Sequence, residues 1–260
     1  MRSFYLVLLC LAALGSARAF AAPATIRVLT YNIHHGEGLD HAVDLPRIAE
    51  IIRTTGADVV ALQEVDRGVR RTAGRDLSAE LAALTGMKVA FGPNLAFQGG
   101  DYGNAVLSRF PIRAQRNTRF AHASAGEPRG VLQVELEVQG RRVLFLSTHL
   151  DVADNDAERV RAVAELRRIV TAEPGLPVVL GGDFNDVPAS RTHGALSTFL
   201  SDVWPQVGTG PGYTFPTSKP VRRIDSIWIT APTLGAVSAQ VVAAPVASDH
   251  LPLLAEIRFR

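Results

Sequence analysis

The stretch Val178-Val-Leu-Gly-Gly-Asp-Phe-Asn-Asp186 decides how this 260-residue chain reads. Val178, Val179 and Leu180 form a short apolar run after Pro177, and turn-forming residues follow at once. That pattern is a buried strand running into a turn. Asp183 and Asn185 are two residues apart, so an extended strand end points both to one side. Gly181 and Gly182 leave room for close approach of backbone or ligand. A carboxylate fixed beside an amide can activate a water and donate to a developing oxyanion. A simple turn, with Asp and Asn serving the local backbone, carries the same residues. The surrounding chain separates the two readings.

Working outward, residues 25–32 alternate apolar and polar and predict a first strand, ending in Asn32-Ile-His-His-Gly36. Residues 44–53 predict a helix with Asp44 as N-cap and Pro46 in its first turn, stopped by Gly56. Residues 58–62 predict a buried strand that ends at Gln63-Glu64. A second helix spans 76–85 up to Gly86, and strands follow at 88–91 and 105–108. Residues 130–138 and 142–147 flank Gln139-Gly140 as a hairpin whose second strand leads into Thr148-His149. The strongest helical pattern is 156–171. A short helix is expected near 195–200, and strands at 224–229 and 253–258. Hairpins and helices interleave in both halves, which predicts one α/β domain of two packed sheets with helices outside.

Composition supports an ordinary globular domain, with 47% apolar and 20% charged residues. Residues 1–21 stand apart. Arg2 precedes an apolar run over 4–14, then Gly-Ser-Ala-Arg-Ala19, which reads as a secretory signal peptide. The run is short for a membrane span. The domain is then residues 22–260, and the expected destination is secreted or periplasmic. Cys10, the one cysteine, leaves with the signal, so the mature chain has no disulfide. Arg2 and Arg18 leave as well, so 25 Lys+Arg balance 25 Asp+Glu. A neutral mature chain offers no global electrostatic case for nucleic-acid binding.

Polar residues recur at the ends of buried strands: Asn32, Glu64, His149, Asp183, Asn185, Asp225, Asp249 and His250. So many, over six segments, predict that one rim of the core gathers them. Carboxylates, amides and imidazoles together suit Mg²⁺ or Mn²⁺ and metal-assisted attack of water on phosphorus. No His-Glu-x-x-His helix for zinc occurs.

Seven segments in order carry a resemblance. They are Thr30-Tyr-Asn-Ile-His-His-Gly36, Leu62-Gln-Glu-Val65, Tyr102-Gly-Asn-Ala-Val-Leu-Ser-Arg109, Ser147-Thr-His-Leu150, Gly181-Gly-Asp-Phe-Asn185, Arg223-Ile-Asp225 and Ser248-Asp-His250. The chain resembles the endonuclease/exonuclease/phosphatase superfamily over nearly its whole mature length. The resemblance implies a four-layer α/β/β/α sandwich of two mixed sheets flanked by helices. It implies metal binding by Glu64, Asn32 and Asp249. It also implies catalytic roles: Asp183 on the attacking water, Asn185 on the phosphoryl oxygens, and His250 on the phosphate with Asp225 as its carboxylate partner. His149 is implied to contact phosphate or aid leaving-group protonation.

One position departs from the resemblance. Several nucleases of the superfamily carry a metal-holding aspartate two residues after the asparagine; here that residue is His34. On an extended segment His34 and His35 would face opposite ways, so one of them is expected to enter the site. Arg129, Tyr102, Asn104 and His34 are expected on the substrate side. His41, His122 and His193 read as surface or loop residues, and Trp204, Tyr213, Phe215 and Trp228 as core or rim. The basic segment 67–75, with Arg67, Arg70, Arg71 and Arg75, is expected to rim the site.

The superfamily spans several phosphoester chemistries, and fold does not choose among them. The opening motif also resembles the phosphodiesterase-like domain of the calcofluor-hypersensitivity protein, which is associated with GPI-lipid remodelling. That likeness, with the expected export, points to a small or lipid-linked substrate for a metal-dependent phosphodiesterase; a monomer is expected, and with no long exposed apolar hairpin any membrane contact would be peripheral. The alternatives are an extracellular nuclease and a binding protein on a retired hydrolase scaffold.

Overall fold

The computed structural model describes residues 25–121 and 126–260; the expected signal peptide and His122 lie outside the described residues. In order the elements are β1 (Thr25–Asn32), α1 (Leu45–Thr55), β2 (Val59–Arg67), α2 (Leu77–Thr85), β3 (Lys88–Phe97), β4 (Gly100–Ser108), β5 (Ile112–Arg119) and β6 (Gly130–Val138). They continue with β7 (Arg141–His149), α3 (Ala157–Thr171), β8 (Val178–Asp183), α4 (Arg191–Leu196), β9 (Ser201–Asp202), α5 (Trp204–Val207), β10 (Asp225–Ile229), β11 (Leu234–Val241) and β12 (Leu253–Phe259). Two six-stranded sheets result, ordered β11-β12-β1-β2-β4-β3 and β5-β6-β7-β8-β10-β9.

Strand alternation builds the layers. In β1, Ile26 and Val28 pack between the sheets with Val134, Phe145, Val179 and Ile227. Leu29 and Tyr31 turn the other way, onto Leu45, Ile48 and Ile52 of α1. In β8, Val179 faces inward while Val178 and Leu180 pack under Val163 and Leu166 of α3. Strands buried on both faces read as near-continuous apolar runs, as Val178-Val179-Leu180 of β8 does. Each fully buried Leu, Ile, Val or Phe contributes roughly 1.5–3 kcal/mol relative to exposure. A described chain without cysteine rests on these clusters.

The helices start and stop as their sequences dictate. The Asp44 carboxylate accepts from the Arg47 N–H and the Asp76 carboxylate from the Ala79 N–H. Gly56 and Gly86 close α1 and α2 in the left-handed conformation. The short helix begins at Arg191 rather than 195, because the Ser190 hydroxyl caps it by accepting from the His193 N–H.

Strand direction gathers the polar ends. β1 and β2 are parallel, as are β7 and β8, while β12 runs against β1 and β10 against β8. The C-terminal ends of β1, β2, β7 and β8 therefore share a rim with the start of β10 and the segment before β12. His149 pairs in register with Asp183, and Asp183 with Asp225.

Several expectations change. Of the two uses expected of Gly181 and Gly182, the structure shows the close approach of backbone and of the facing sheet. A Cβ on Gly181 would lie 3.0 Å from the Ala61 Cβ of the other sheet, and one on Gly182 would meet the Thr148 carbonyl. β2, β3 and β4 extend well past their apolar stretches, because β3 and β4 pair along Lys88–Phe97 and Gly100–Ser108. β5 and β11 were not predicted; both are edge strands held by a single neighbour. His193 is buried on α4 against Phe184 and Trp228, not on the surface.

Candidate active site

Asn32 joins the two sheets at this rim. Its Nδ2 donates to Glu64 Oε1 at 2.9 Å and to Asp183 Oδ2 at 3.0 Å, and its Oδ1 accepts from the His34 N–H. Glu64 reaches it through an irregularity. Register shifts between Leu62 and Val65 in the β2–β4 pair, and Glu64 sits at φ 60°. A bulge re-aims a side chain, and a non-glycine residue at positive φ costs of order 1–3 kcal/mol that the surroundings must hold.

Asp183 ends β8 and is fully buried. Its Oδ1 accepts from the Asn185 N–H at 2.9 Å. Asn185 lies beyond the strand at φ 50°. The two side chains reach the same pocket because this turn brings them together, not because an extended strand aligns them.

His250 faces Asp183 across the pocket. Its Nδ1 donates to Asp225 Oδ2 at 2.9 Å, and its Nε2 lies 3.7 Å from Asp183 Oδ2. The Phe215 ring packs against the imidazole at 4.8 Å between centroids. Burial opposes charge on His250, but the carboxylates of Asp225 and Asp183 outweigh it and raise its pKa to about 10. Asp183 is pushed above the ordinary carboxylate range by burial and by Asp225, against the pull of His250. The pair is thus a buried carboxyl beside an imidazole that keeps its proton at neutral pH.

His149 ends β7 with Arg129 on one nitrogen and Asn185 on the other. Arg129 Nη1 lies 2.8 Å from His149 Nδ1, and Asn185 Nδ2 lies 3.0 Å from Nε2. Burial, then Arg129 and His250, hold the imidazole well below its usual pKa.

These groups open on one cavity of about 380 Å³. Glu64, His149, Asp183, Asn185, Asp249 and His250 line one part of it. Arg71, Arg129 and Arg222 bring positive charge, and Leu95, Phe97, Tyr102, Val152 and Phe215 supply an apolar wall. Arg129 and Tyr102 are among the residues of that cavity wall. Asn104 is not: it is buried, and its Nδ2 donates to the carbonyls of Gly130 and Ser147, so it ties the sheets rather than facing substrate. Arg71 alone of the basic segment lines the cavity; Arg67 and Arg75 are paired with Asp101 and Glu80. His34 also misses the substrate wall. The chain turns through a 3-10 segment at 34–36 with both histidines at positive φ, so His34 and His35 lie together beside Glu64. The extended-segment expectation of one histidine in and one out is corrected on that ground.

Leu95, Phe97, Val152, Phe215 and Arg222 were not singled out from sequence as substrate-facing. Phe97 had a readable signal, since Gln98-Gly99 turns the β3–β4 hairpin directly after it. Two groups of potential metal ligands lie at this rim among the described residues: His34, His35 and Glu64, and Asp183, Asp225 and His250, each set within 4.8 Å. Asp249 lines the cavity but joins neither group. The donor chemistry of the first group, with the His35 Nδ1 buried and unpartnered, fits a divalent cation.

A two-sheet sandwich with this rim is the architecture of a phosphoester hydrolase. Residues 29–250 match the Endonuclease/Exonuclease/phosphatase family, and the chain belongs to it. Enzymes of that superfamily are phosphoester hydrolases, generally dependent on a divalent metal. The uncharacterised protein YbhP of Escherichia coli K12 is 32% identical over 249 residues, covering 90% of this chain and 96% of YbhP. A 5′-tyrosyl-DNA phosphodiesterase of Caenorhabditis elegans is 22% identical over 71% of this chain and 49% of its own length. The crystal structure of an endonuclease/exonuclease/phosphatase from Beutenbergia cavernae superposes with a TM-score of 0.73 at 26% identity, over 90% of this chain and 72% of that one. A mannosyl-6-phosphatase of Bacteroides thetaiotaomicron shares the fold, with a TM-score of 0.75 at 19% identity, over 90% of this chain and all of that one.

Proposed function

We propose that the protein is an exported phosphodiesterase that cleaves a small or lipid-linked phosphodiester by attack of water on phosphorus, with Mg²⁺ or Mn²⁺ as cofactor. The observation that carries this reading is the composition of the cavity. A monoester presents one organic arm, whereas a diester presents two. The wall of Leu95, Phe97, Val152 and Phe215 beside the polar cluster gives a second arm an apolar seat, with Arg71 and Arg222 near its charge. Export rests on the character of residues 1–21.

The side chains have distinct tasks in this reading. Asn32 and the Asn185 N–H fix the two oxygens of Asp183, so the carboxylate is oriented to take a proton from the attacking water. The Asn185 amide and the His250 Nε2–H donate to the phosphoryl oxygens as charge builds on them. Asp225 holds the His250 tautomer from behind. His149 serves as a neutral hydrogen-bonding group. Glu64, Asn32 and Asp249 would hold the divalent cation, which supplies positive charge against the phosphoryl oxygens. Water adds to phosphorus as Asp183 takes its proton, the bond from phosphorus to the ester oxygen breaks, and that proton is passed on to the departing oxygen, so the products are a phosphomonoester and an alcohol.

The test is hydrolysis of a chromogenic diester beside the matching monoester, with Mg²⁺, Mn²⁺ or EDTA. Metal-dependent turnover that favours the diester is expected. Preference for the monoester would make the protein a phosphatase, in line with the mannosyl-6-phosphatase neighbour. Cleavage of DNA or RNA at low protein concentration would make it a nuclease instead.

A further inference from the structure

The segment His34-His35-Gly36 places two imidazoles beside the Glu64 carboxylate, and the hydrogen bonds around them leave one nitrogen of each unused. His34 Nδ1 lies 3.2 Å from the Glu37 carbonyl, which accepts only, so that nitrogen carries the proton and Nε2 keeps its lone pair. His35 Nε2 lies 3.2 Å from Glu37 Oε2, again an acceptor, so Nδ1 keeps the lone pair. His35 Nδ1 is buried and has no partner, and the side chain is only 9% exposed. One ring nitrogen of each histidine and a Glu64 oxygen lie within 4.8 Å of one another.

This is the arrangement that a metal-binding histidine requires. A ligating imidazole donates its far N–H to a carboxylate or carbonyl, which fixes tautomer and ring plane. Glu37 does this for both rings, with its carbonyl for one and its carboxylate for the other. Its second carboxylate oxygen is 3.2 Å from His41 Nδ1, which steadies the carboxylate in turn. Both histidines hold φ near 45°, a costly conformation for non-glycine residues that persists where the surroundings impose it. An unpartnered nitrogen buried in that strained turn calls for a ligand.

We infer that His34, His35 and Glu64 form a mixed imidazole–carboxylate cation site that selects Mn²⁺ and its heavier first-row neighbours over Mg²⁺. The inference rests on the reading that a divalent cation works at Glu64 in this pocket and goes beyond it by adding the two imidazoles to its donors and by stating the preference. Mg²⁺ takes oxygen donors and gives up its waters reluctantly. Imidazole nitrogen suits the first-row transition ions, with affinity rising from Mn²⁺ towards Cu²⁺.

The test reads the metal environment directly. The untagged full-length protein, stripped of metal, is titrated with Mn²⁺ and with Mg²⁺ by calorimetry. Nitrogen coupling to bound Mn²⁺ is then read by electron spin-echo modulation. Mn²⁺ should bind at least about tenfold more tightly than Mg²⁺, with ¹⁴N modulation that is lost in the His34→Ala, His35→Ala double variant. Glu37→Ala, which removes only the carboxylate behind His35, should weaken Mn²⁺ binding about 10–100-fold. Should the double variant not fold, His34→Gln alone, at a half-exposed position, carries the same comparison. Bound Mn²⁺ without ¹⁴N modulation, or equal affinity for Mg²⁺, would overturn the assignment and leave the phosphodiesterase reading standing. Modulation that survives the double variant would place the imidazole at His149 or His250 and overturn it likewise. Failure to bind either ion would remove both this site and the proposed cofactor.

Discussion

Arg129 donates from Nη1 to His149 Nδ1 at 2.8 Å, and the amide nitrogen of Asn185 stands 3.0 Å from the other ring nitrogen. Arg129 can only donate, so Nδ1 accepts and the ring's one N–H sits on Nε2, 3.5 Å from Asp183 Oδ2; an imidazolium would have no lone pair with which to accept from Arg129. His149 is therefore neutral in this site, in agreement with a pKa held well below the usual value by burial, Arg129 and His250. A group without a spare proton is a poor leaving-group acid. In the proposed scheme, His149→Gln should lower kcat without removing either limb of the pH–rate profile. Loss of a limb in that variant would give His149 a proton-transfer role.

His250 differs because its Nδ1 meets a carboxylate. Below a pKa of about 10 the ring is cationic, and it loses that charge as pH rises through that value. Asp225→Asn removes the largest charge that favours the cation. The folded-state pKa then falls, so the high-pH limb of kcat should move to lower pH. A pH–rate profile of this variant beside the parent measures the shift, and an unmoved limb would show that the cation is not needed.

Arg159 of α3 fastens the two loops that follow His149 and Asp183. Its Nε donates to Asp186 Oδ2 at 3.0 Å, and its Nη1 donates to the carbonyls of Asp151 at 2.9 Å and Ala153 at 2.6 Å. The guanidinium is almost fully buried. Removing one partner of a buried ion pair costs about 3–5 kcal/mol. Arg159→Met should lose stability of that order in urea unfolding, and Arg159→Met with Asp186→Asn should recover part of it.

His193 packs edge-on against Phe184 and Trp228, and burial lowers its pKa to about 4. Above pH 6.5 the residue is neutral folded or unfolded. As pH falls from 6.5 towards 4 the unfolded chain takes up the proton and the folded chain does not, so stability is lost across that window. At 1.36 kcal/mol per pH unit the loss is about 3 kcal/mol. Urea unfolding between pH 7 and pH 4 should show a loss smaller by that amount in His193→Phe. Parallel pH curves for the two proteins would contradict it.

Two packed sheets with helices outside were legible because hairpins and helices interleave in both halves, and because Asp44, Gly56, Asp76 and Gly86 mark helix ends chemically; the four-layer form was implied by the resemblance. Site residues at strand ends were legible because Asn32, His149 and Asp183 each close a stretch whose pattern reads as a strand. Positions set by local backbone departures were not. The bulge at Glu64, the left-handed Asn185 and the paired histidines all depend on positive φ at non-glycine residues, which composition does not announce. The cavity wall was hidden as well. Phe97 and Phe215 lie more than a hundred residues apart, and only the packing of both sheets at one rim brings them together.

The central claim is that Asp183 and His250, 3.7 Å apart across the cavity, carry out phosphodiester hydrolysis. The most direct measurement is kcat/KM on a chromogenic diester for the parent, Asp183→Asn and His250→Ala, each at saturating divalent cation and with its melting temperature recorded. The account predicts a loss on the order of 10²–10⁴ in each variant while both remain folded. Near-parental turnover in either folded variant would contradict it.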